Sequence, residues 1–347
     1  LEIYLPLANV YINPFVLIIL GVVVGILSGM LGIGGGIILN PALIKLGIPP
    51  IVTVGTSISQ MIGATVSGFF THWKLKNIDL KMGIFIVIFG VVGGTLGTII
   101  THILEKAGHF REAVLTIYTI YLFILGGLML IDALKKKKEN EEGKLKKIAD
   151  KLPFKIKFQI GDVSLLVPVF VGISSGFLAS MLGIGGGNIT TPALMYFANY
   201  QPQKAVALSI FQMMFVTIFL TYFHSTINHN VDIILSFILL LGSSFGAVFG
   251  AYIGQKLGRD KLKGFLAMLM IAVGFTTFYE LVFGKEKAKA IITISENIIT
   301  KFALENPSLY AILVIVISLI AGIIISAFAH RLRTFILITM EKKERNK

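Results

Sequence analysis

Apolar residues along this chain neither alternate nor form narrow stripes; they come in long runs. Four runs, near residues 14–33, 51–72, 80–103 and 112–133, are followed by four more near 164–182, 204–224, 232–255 and 262–283. Each approaches the ~20 residues an α-helix needs to cross a ~30 Å hydrocarbon core. A ninth run, Leu309 to Ala329, follows an amphipathic stretch from about 285 to 306. The pattern predicts an all-α integral membrane protein, a bundle of about 8–9 transmembrane helices.

Two interruptions stand out because they are spelled identically. Met30-Leu31-Gly32-Ile33-Gly34-Gly35-Gly36 recurs as Met181-Leu182-Gly183-Ile184-Gly185-Gly186-Gly187, and each copy is followed by Pro-Ala-Leu (Pro41 to Leu43; Pro192 to Leu194). Each glycine costs a helix ~1 kcal/mol relative to alanine. Unpaired backbone at membrane depth is tolerated only where it is buried in protein or lines a cavity. The phrase therefore predicts a broken or re-entrant helix with a site at the break.

The agreement extends beyond the phrase. Gly21 aligns with Gly172, Gly25 with Gly176, Ser57 with Ser209, Gln60 with Gln212, His72 with His224, Asp79 with Asp232, Gly93 with Gly246 and Arg111 with Arg259. These matches predict two homologous repeats, residues 14–133 and 164–283. A basic cytoplasmic linker, 134–163, joins them. The remainder, 284–347, holds the amphipathic stretch, an extra transmembrane helix and a basic tail. The relative direction of the repeats depends on the segments after the glycines. Four crossings per half, with those segments re-entrant, give parallel repeats. If 37–47 and 188–198 count as separate short spans, the repeats are inverted.

Composition agrees with a membrane setting. The chain has 347 residues, 55% hydrophobic and 14% charged, with mean hydropathy +0.85; soluble domains carry about 25% charged residues. The net charge of +13 is concentrated around Lys135 to Lys138 and the lysines that follow. It reads as a solvated loop obeying the positive-inside rule. No basic stripe with aromatic platforms accompanies it, so nucleic acid is not an expected partner. The absence of cysteine excludes disulfides and thiolate chemistry. Residues 1–13 lack a basic n-region, so the first run is expected to remain as a span.

The candidate chemistry is that of an anion site. Gly34, Gly35, Gly36, Gly185, Gly186 and Gly187 would expose backbone N–H groups at the start of the next half-helix, an end that carries about half a positive charge. Ser57 and Gln60, and likewise Ser209 and Gln212, share a helix face at i, i+3. Asn40, Asn188, Thr190 and Thr191 add neutral donors beside the breaks. Interhelical hydrogen bonding is the competing reading of these polar groups. His72 and His224 suit either a pH-sensitive gate or, more plainly, a structural anchor. Arg111 and Arg259 could attract anions at a vestibule, or be neutralised by Glu112 and Asp260. Gly93-x-x-x-Gly97 and Gly246-x-x-x-Gly250 signal close helix packing, within one chain or in a homo-oligomer. Asp79, Asp132, Asp232 and Glu280 fall at span ends, which disfavours a cation substrate, a carboxylate proton relay and a hydrolytic pair. No metal-ligand spacing and no cofactor motif is present.

A duplicated Gly-x-Gly-Gly-Gly with a following Pro-x-Leu, in a small bundle split by a basic linker, resembles the TauE/SafE family of sulfite-exporter-like permeases over roughly 14–283. The resemblance implies passage of sulfite, sulfoacetate or another organosulfonate through the cytoplasmic membrane. Export suits the physics, since each negative charge leaving a negative interior gains ~2.3 kcal/mol per 100 mV. A cation or metal permease, hinted at by Met61, Met213 and Met214, is the alternative; an intramembrane enzyme lacks a nucleophile–base arrangement.

Overall fold

A computed structural model describes residues 2–74, 77–134, 144–256, 259–283 and 297–345. Lys135 to Lys138, the most basic part of the linker, lie outside the described residues, as do the side chains of Asp132, Arg259 and Asp260.

The chain begins with a hairpin, β1 (Ile3–Leu5) and β2 (Val10–Ile12), and enters α1 (Pro14–Leu31). After the first glycine break come α2 (Gly36–Lys45), α3 (Pro50–Lys74), α4 (Leu80–Lys106) and α5 (Phe110–Leu134). The linker holds α6 (Lys144–Ala149) and a second hairpin, β3 (Lys155–Phe158) and β4 (Gly161–Ser164). Then follow α7 (Leu166–Leu182), the second break, α8 (Gly187–Phe197), α9 (Pro202–Phe223) with a π-helical turn at His224–Asn228, α10 (Ile233–Lys256) and α11 (Arg259–Phe283). A short α12 (Ile298–Glu305) precedes α13 (Pro307–Arg345). The expected runs are all helical. The linker, read from sequence as a solvated basic loop, has local structure in its described part.

Six of these helices are long and apolar enough to cross a membrane: those at Pro14–Leu31, Leu80–Lys106, Phe110–Ile131, Pro202–Asn228, Ile233–Gly254 and Pro307–Leu332. The protein is a multi-pass membrane protein. Helix α4 shows how its surface is divided. Ile84, Ile88, Val92, Leu96, Ile99 and Ile103 are exposed along one face, while Gly90, Gly93 and Gly97 are buried on the other. Lipid takes the apolar face and protein takes the glycines. Helix α3 is the reverse case. Thr53, Thr56, Ser57, Ser59, Gln60, Thr65, Ser67 and Thr71 are all buried along it. A helix wrapped by other helices need not be apolar, because its neighbours supply the hydrogen-bond partners.

Glycine seams fix the helix directions. Helices α1 and α10 run the same way, with Gly21 against Leu239, Gly25 against Ser243 and Gly29 against Ala247. Helices α4 and α7 do likewise, Gly93 meeting Ile173 and Gly97 meeting Phe177. Both GxxxG signals are thus used within one chain, since Gly246 and Gly250 lie on the carbonyls of Val22 and Ile26. The pairing is crossed and reciprocal: the first helix of each half packs on the long glycine-rich helix of the other.

The aspartates that begin α4 and α10 show where the ends lie. Asp232 accepts hydrogen bonds from Ile234 and Leu235 N–H as an N-cap and from Leu7 N–H at the tip of the first hairpin (2.9 Å). Asp79 accepts from Met82 N–H, from Gln159 N–H at the tip of the second hairpin (2.9 Å), and from the Tyr200 hydroxyl (2.7 Å). Helix α3 starts beside Asp232, where Thr56 Oγ1 accepts from Asp232 N–H and Asn230 donates to Ile51 O. It ends beside Asp79, and α9 starts there. Hence α3 and α9 are antiparallel, and α1 and α7 enter from opposite faces.

The short segments α2 and α8 return as separate helices, so each half contains five. The two halves consequently run in opposite directions, which removes the parallel arrangement left open by the sequence. The face carrying the linker holds Lys74, Lys81, Lys151, Lys155, Lys157, Lys204 and Lys256; the other holds Lys45, Lys106 and Lys301. The positive-inside rule therefore leads us to propose that the linker face is the cytoplasmic one.

This orientation is tested by labelling, in a chain that has no native cysteine. Tyr11 and Phe154, exposed on the first hairpin and beside the second, are each replaced by cysteine. A membrane-impermeant maleimide applied to intact cells is expected to modify Tyr11→Cys and spare Phe154→Cys. Labelling of both from outside would overturn the opposed entry of α1 and α7.

Candidate functional site

The two glycine breaks meet. A methyl group placed on Gly34 would sit 3.4 Å from Gly185 Cα, and one on Gly185 would sit 3.6 Å from Gly34 Cα. Gly36 packs on the carbonyl of Gly183, and Gly187 on that of Gly32. The backbone explains why glycine is needed. Gly32, Gly34 and Gly35 have φ of 66°, 77° and 77°; Gly183, Gly185 and Gly186 have 66°, 70° and 80°. This left-handed region costs other residues roughly 1–2 kcal/mol each.

Helices α2 and α8 begin at this crossing and run to opposite faces. Their N-termini therefore converge and their C-termini diverge. Ile38 and Leu39 N–H are directed to Gly35 O, and Ile189 and Thr190 N–H to Gly186 O. The earlier amides, of Gly36, Ile37, Gly187 and Asn188, belong to the open ends, which have no intrahelical acceptors. Two helix N-termini, each worth about half a positive charge, face one another inside the bundle.

The C-terminal ends of α1 and α7 reach the same place, and their carbonyls are capped across the halves. Asn40 Nδ2 donates to Leu182 O (2.6 Å), and Ser57 Oγ donates to Asn40 Oδ1. Ser209 Oγ donates to Gly32 O (2.9 Å), with Thr191 Oγ1 donating to Ser209 Oγ (3.0 Å). The Tyr118 hydroxyl lies 3.1 Å from Leu182 O and 3.3 Å from Gly36 O. Thr190 Oγ1 donates to Gln212 Oε1, and Gln212 Nε2 donates to Ser175 Oγ (2.7 Å). Gln60 Oε1 accepts from Ser243 Oγ (2.7 Å). The polar residues expected from sequence are thus gathered around the breaks. Several of them serve the negative ends, so their hydrogen bonds are spent on the fold.

Two groups are not spent. Asn188 is fully buried, and neither its Oδ1 nor its Nδ2 has a partner; the Gln60 Nε2 is likewise alone. A buried carboxamide left unpaired costs ~1–3 kcal/mol, so each such group calls for a reason. A narrow cleft, with room for about one water molecule, is lined by Asn40, Pro41, Pro50, Tyr118, Leu182 and Thr277.

The candidate gates fare differently. His224 Nε2 lies 3.0 Å from Ser180 Oγ and 3.1 Å from Ser180 O, while Nδ1 is 3.3 Å from the amides of both Asn228 and Asn230. It is a fully partnered structural histidine that caps the last turn of α7. His72 is equally buried, at the far end of α3, against the Gly29 backbone of α1. Each thus rests on the last turn of a helix that leads into a break, three residues before Gly183 or Gly32. Arg111 forms an ion pair with Glu280 (2.8 Å), which neutralises it in place of the neighbouring Glu112. Arg259 opens α11. Sequence reasoning missed Tyr118, Ser175 and Ser243, which carry no local motif and matter only through the packing of distant helices.

Converging helix ends in a buried, broken-helix bundle define a class: a membrane transporter with discontinuous helices. The chain belongs to the TauE/SafE family, described as Sulfite exporter TauE/SafE, which matches residues 17–277. It is similar to the Probable membrane transporter protein YunE of Bacillus subtilis, 27% identical over 208 residues, covering 56% of this chain and 72% of that protein. A second Probable membrane transporter protein, from Methanocaldococcus jannaschii, is 31% identical over 202 residues, covering 56% of this chain and 66% of that protein. A Sulfite exporter TauE/SafE family protein 3 of Arabidopsis thaliana is 26% identical over 125 residues, covering 35% of this chain and 26% of that protein. No solved structure matches. The protein is a membrane transporter, and its family points away from an enzyme.

Two glycines separate backbone strain from packing. Gly47 has φ of 91° with nothing within 4 Å of an added methyl, whereas a methyl on Gly34 (φ 77°) would meet Ile184 O at 2.6 Å and Met213 Sδ at 2.8 Å. Gly47→Ala is expected to cost about 1–2 kcal/mol, and Gly34→Ala about 1–3 kcal/mol more, read as melting temperatures in detergent. Equal losses would refute the tight crossing of the breaks.

Proposed function

We propose that the protein exports a small sulfur oxyanion, sulfite or an organosulfonate, across the cytoplasmic membrane. The anion is held between the N-termini of α2 and α8. The observation that carries this reading is the convergence of those two N-termini beside the unpartnered carboxamide of Asn188. Amides of Gly34, Gly35, Gly36, Gly185, Gly186 and Gly187 supply donors, as does Asn188, with Gln60 Nε2 a further donor on α3. Asn40, Ser57, Thr190, Thr191, Ser209 and Gln212 surround the site; those that hold the carbonyls of α1 and α7 keep negative dipole ends from competing with the anion.

Neutral donors suit this task. They offset desolvation without trapping the anion in a permanent ion pair, so release remains fast. The membrane potential supplies the driving force for outward movement. Inverted halves supply alternating access, since a rocking motion that opens one face closes the other. The linker face, with its lysines, is the side from which the anion enters.

Asn188 gives the sharpest test, because its side chain makes no hydrogen bond that folding would miss. Asn188→Leu is expected to keep or raise the melting temperature while sulfite efflux from proteoliposomes falls by about tenfold. Unchanged efflux would refute the assignment.

A further inference from the structure

Met61 and Met213 pack against the glycines of the crossing, on the side where a Cβ would stand. Both are fully buried, one on α3 and one on α9, the antiparallel helices that line the crossing. A methyl on Gly34 would lie 2.8 Å from Met213 Sδ, and one on Gly187 2.9 Å from both Sδ and Cε of Met213. A methyl on Gly36 would lie 2.9 Å from Met61 Cε. Gly185 sees both thioethers, Met61 Sδ at 2.7 Å and Met213 Sδ at 3.0 Å from the same added methyl. Four of the glycines at the crossing are therefore covered by these two side chains. The methionines lie on corresponding positions, each directly after a buried glutamine, Gln60 and Gln212.

We infer that Met61 and Met213 are a displaceable plug. The two thioethers fill the anion position in this closed conformation and swing aside when the anion enters. This rests on the proposed anion site. Methionine is suited to the role. Its unbranched chain has three rotatable bonds and fills irregular space, so it seals well and moves at little cost. A thioether has no N–H or O–H to offer, and its sulfur lone pairs do not solvate an anion. Thioether and anion therefore exclude one another from the same place, which couples occupancy to the opening of the seam between α3 and α9. Leucine and alanine separate the two properties, since leucine fills the space but bends less, and alanine does not fill it.

The test uses the full chain in proteoliposomes, with sulfite as the transported probe and chloride as the leak probe. The double variant Met61→Ala with Met213→Ala is expected to raise chloride leak by about tenfold. The double variant Met61→Leu with Met213→Leu is expected to stay sealed to chloride and to carry sulfite more slowly than the native chain. Melting temperatures identify any variant that does not fold. A second readout does not depend on sulfite: Met213→Cys, the sole cysteine, should react slowly with a small charged thiol reagent in detergent and faster when Met61→Ala is added. A sealed, folded alanine pair, or a Met213→Cys thiol whose reactivity ignores Met61, would overturn the plug. If the native chain carried no sulfite while the thiol behaved as expected, the plug would stand and the substrate assignment would fall.

Discussion

A broken helix inside a bilayer must satisfy its own backbone, and the architecture here follows from that requirement. Each break at the glycines creates two ends, a set of orphan carbonyls and a set of orphan amides. Water is not at hand to pair them, and each unpaired group costs several kcal/mol in hydrocarbon. The carbonyl ends of α1 and α7 are served by side chains from the opposite half, through Asn40 on one side and Ser209 with Thr191 on the other. Neither half could cap its own break in this way. The amide ends of α2 and α8 are brought face to face, and in the proposed mechanism a transported anion completes them.

The same exchange between halves recurs at the periphery. The hairpin before α1 is held by the aspartate that caps α10, and the hairpin before α7 by the aspartate that caps α4. Helices α5 and α11 pack on each other in antiparallel fashion, with Thr119 against Thr277, Phe123 against Phe275, and Arg111 paired to Glu280. Such reciprocity is what a two-fold relation between inverted units produces. Helix α13 departs from it. It lies against α3, with Ser67 donating to Gly322 O and Gly322 packed on Gly63, and has no counterpart among the described residues of the other half.

Much of the fold was legible in the sequence, because lipid imposes long apolar runs and the glycine phrase marks its own break. The direction of the halves was not legible. It turns on whether the short segments Gly36–Lys45 and Gly187–Phe197 return as separate helices, and ten or eleven residues of mixed polarity do not declare this. The polar residues were found by type and spacing, yet their tasks were not. Whether Asn40 faces a ligand or Leu182 O depends on a helix 142 residues away in sequence. The hairpins were missed because three- and four-residue strands carry little periodic signal. Asp79 and Asp232 did carry one, as acids immediately before apolar runs, which is an N-cap signature.

The central claim is that the N-termini of α2 and α8 jointly hold an anion, and the most direct measurement locates one. Selenite, the heavier congener of sulfite, scatters anomalously and can be soaked into crystals of the full chain. The account predicts a single anomalous peak between Gly36 and Gly187, beside the Asn188 carboxamide, with the thioethers of Met61 and Met213 turned away. A peak at the surface lysines or elsewhere in the bundle, with the crossing still closed, would contradict it.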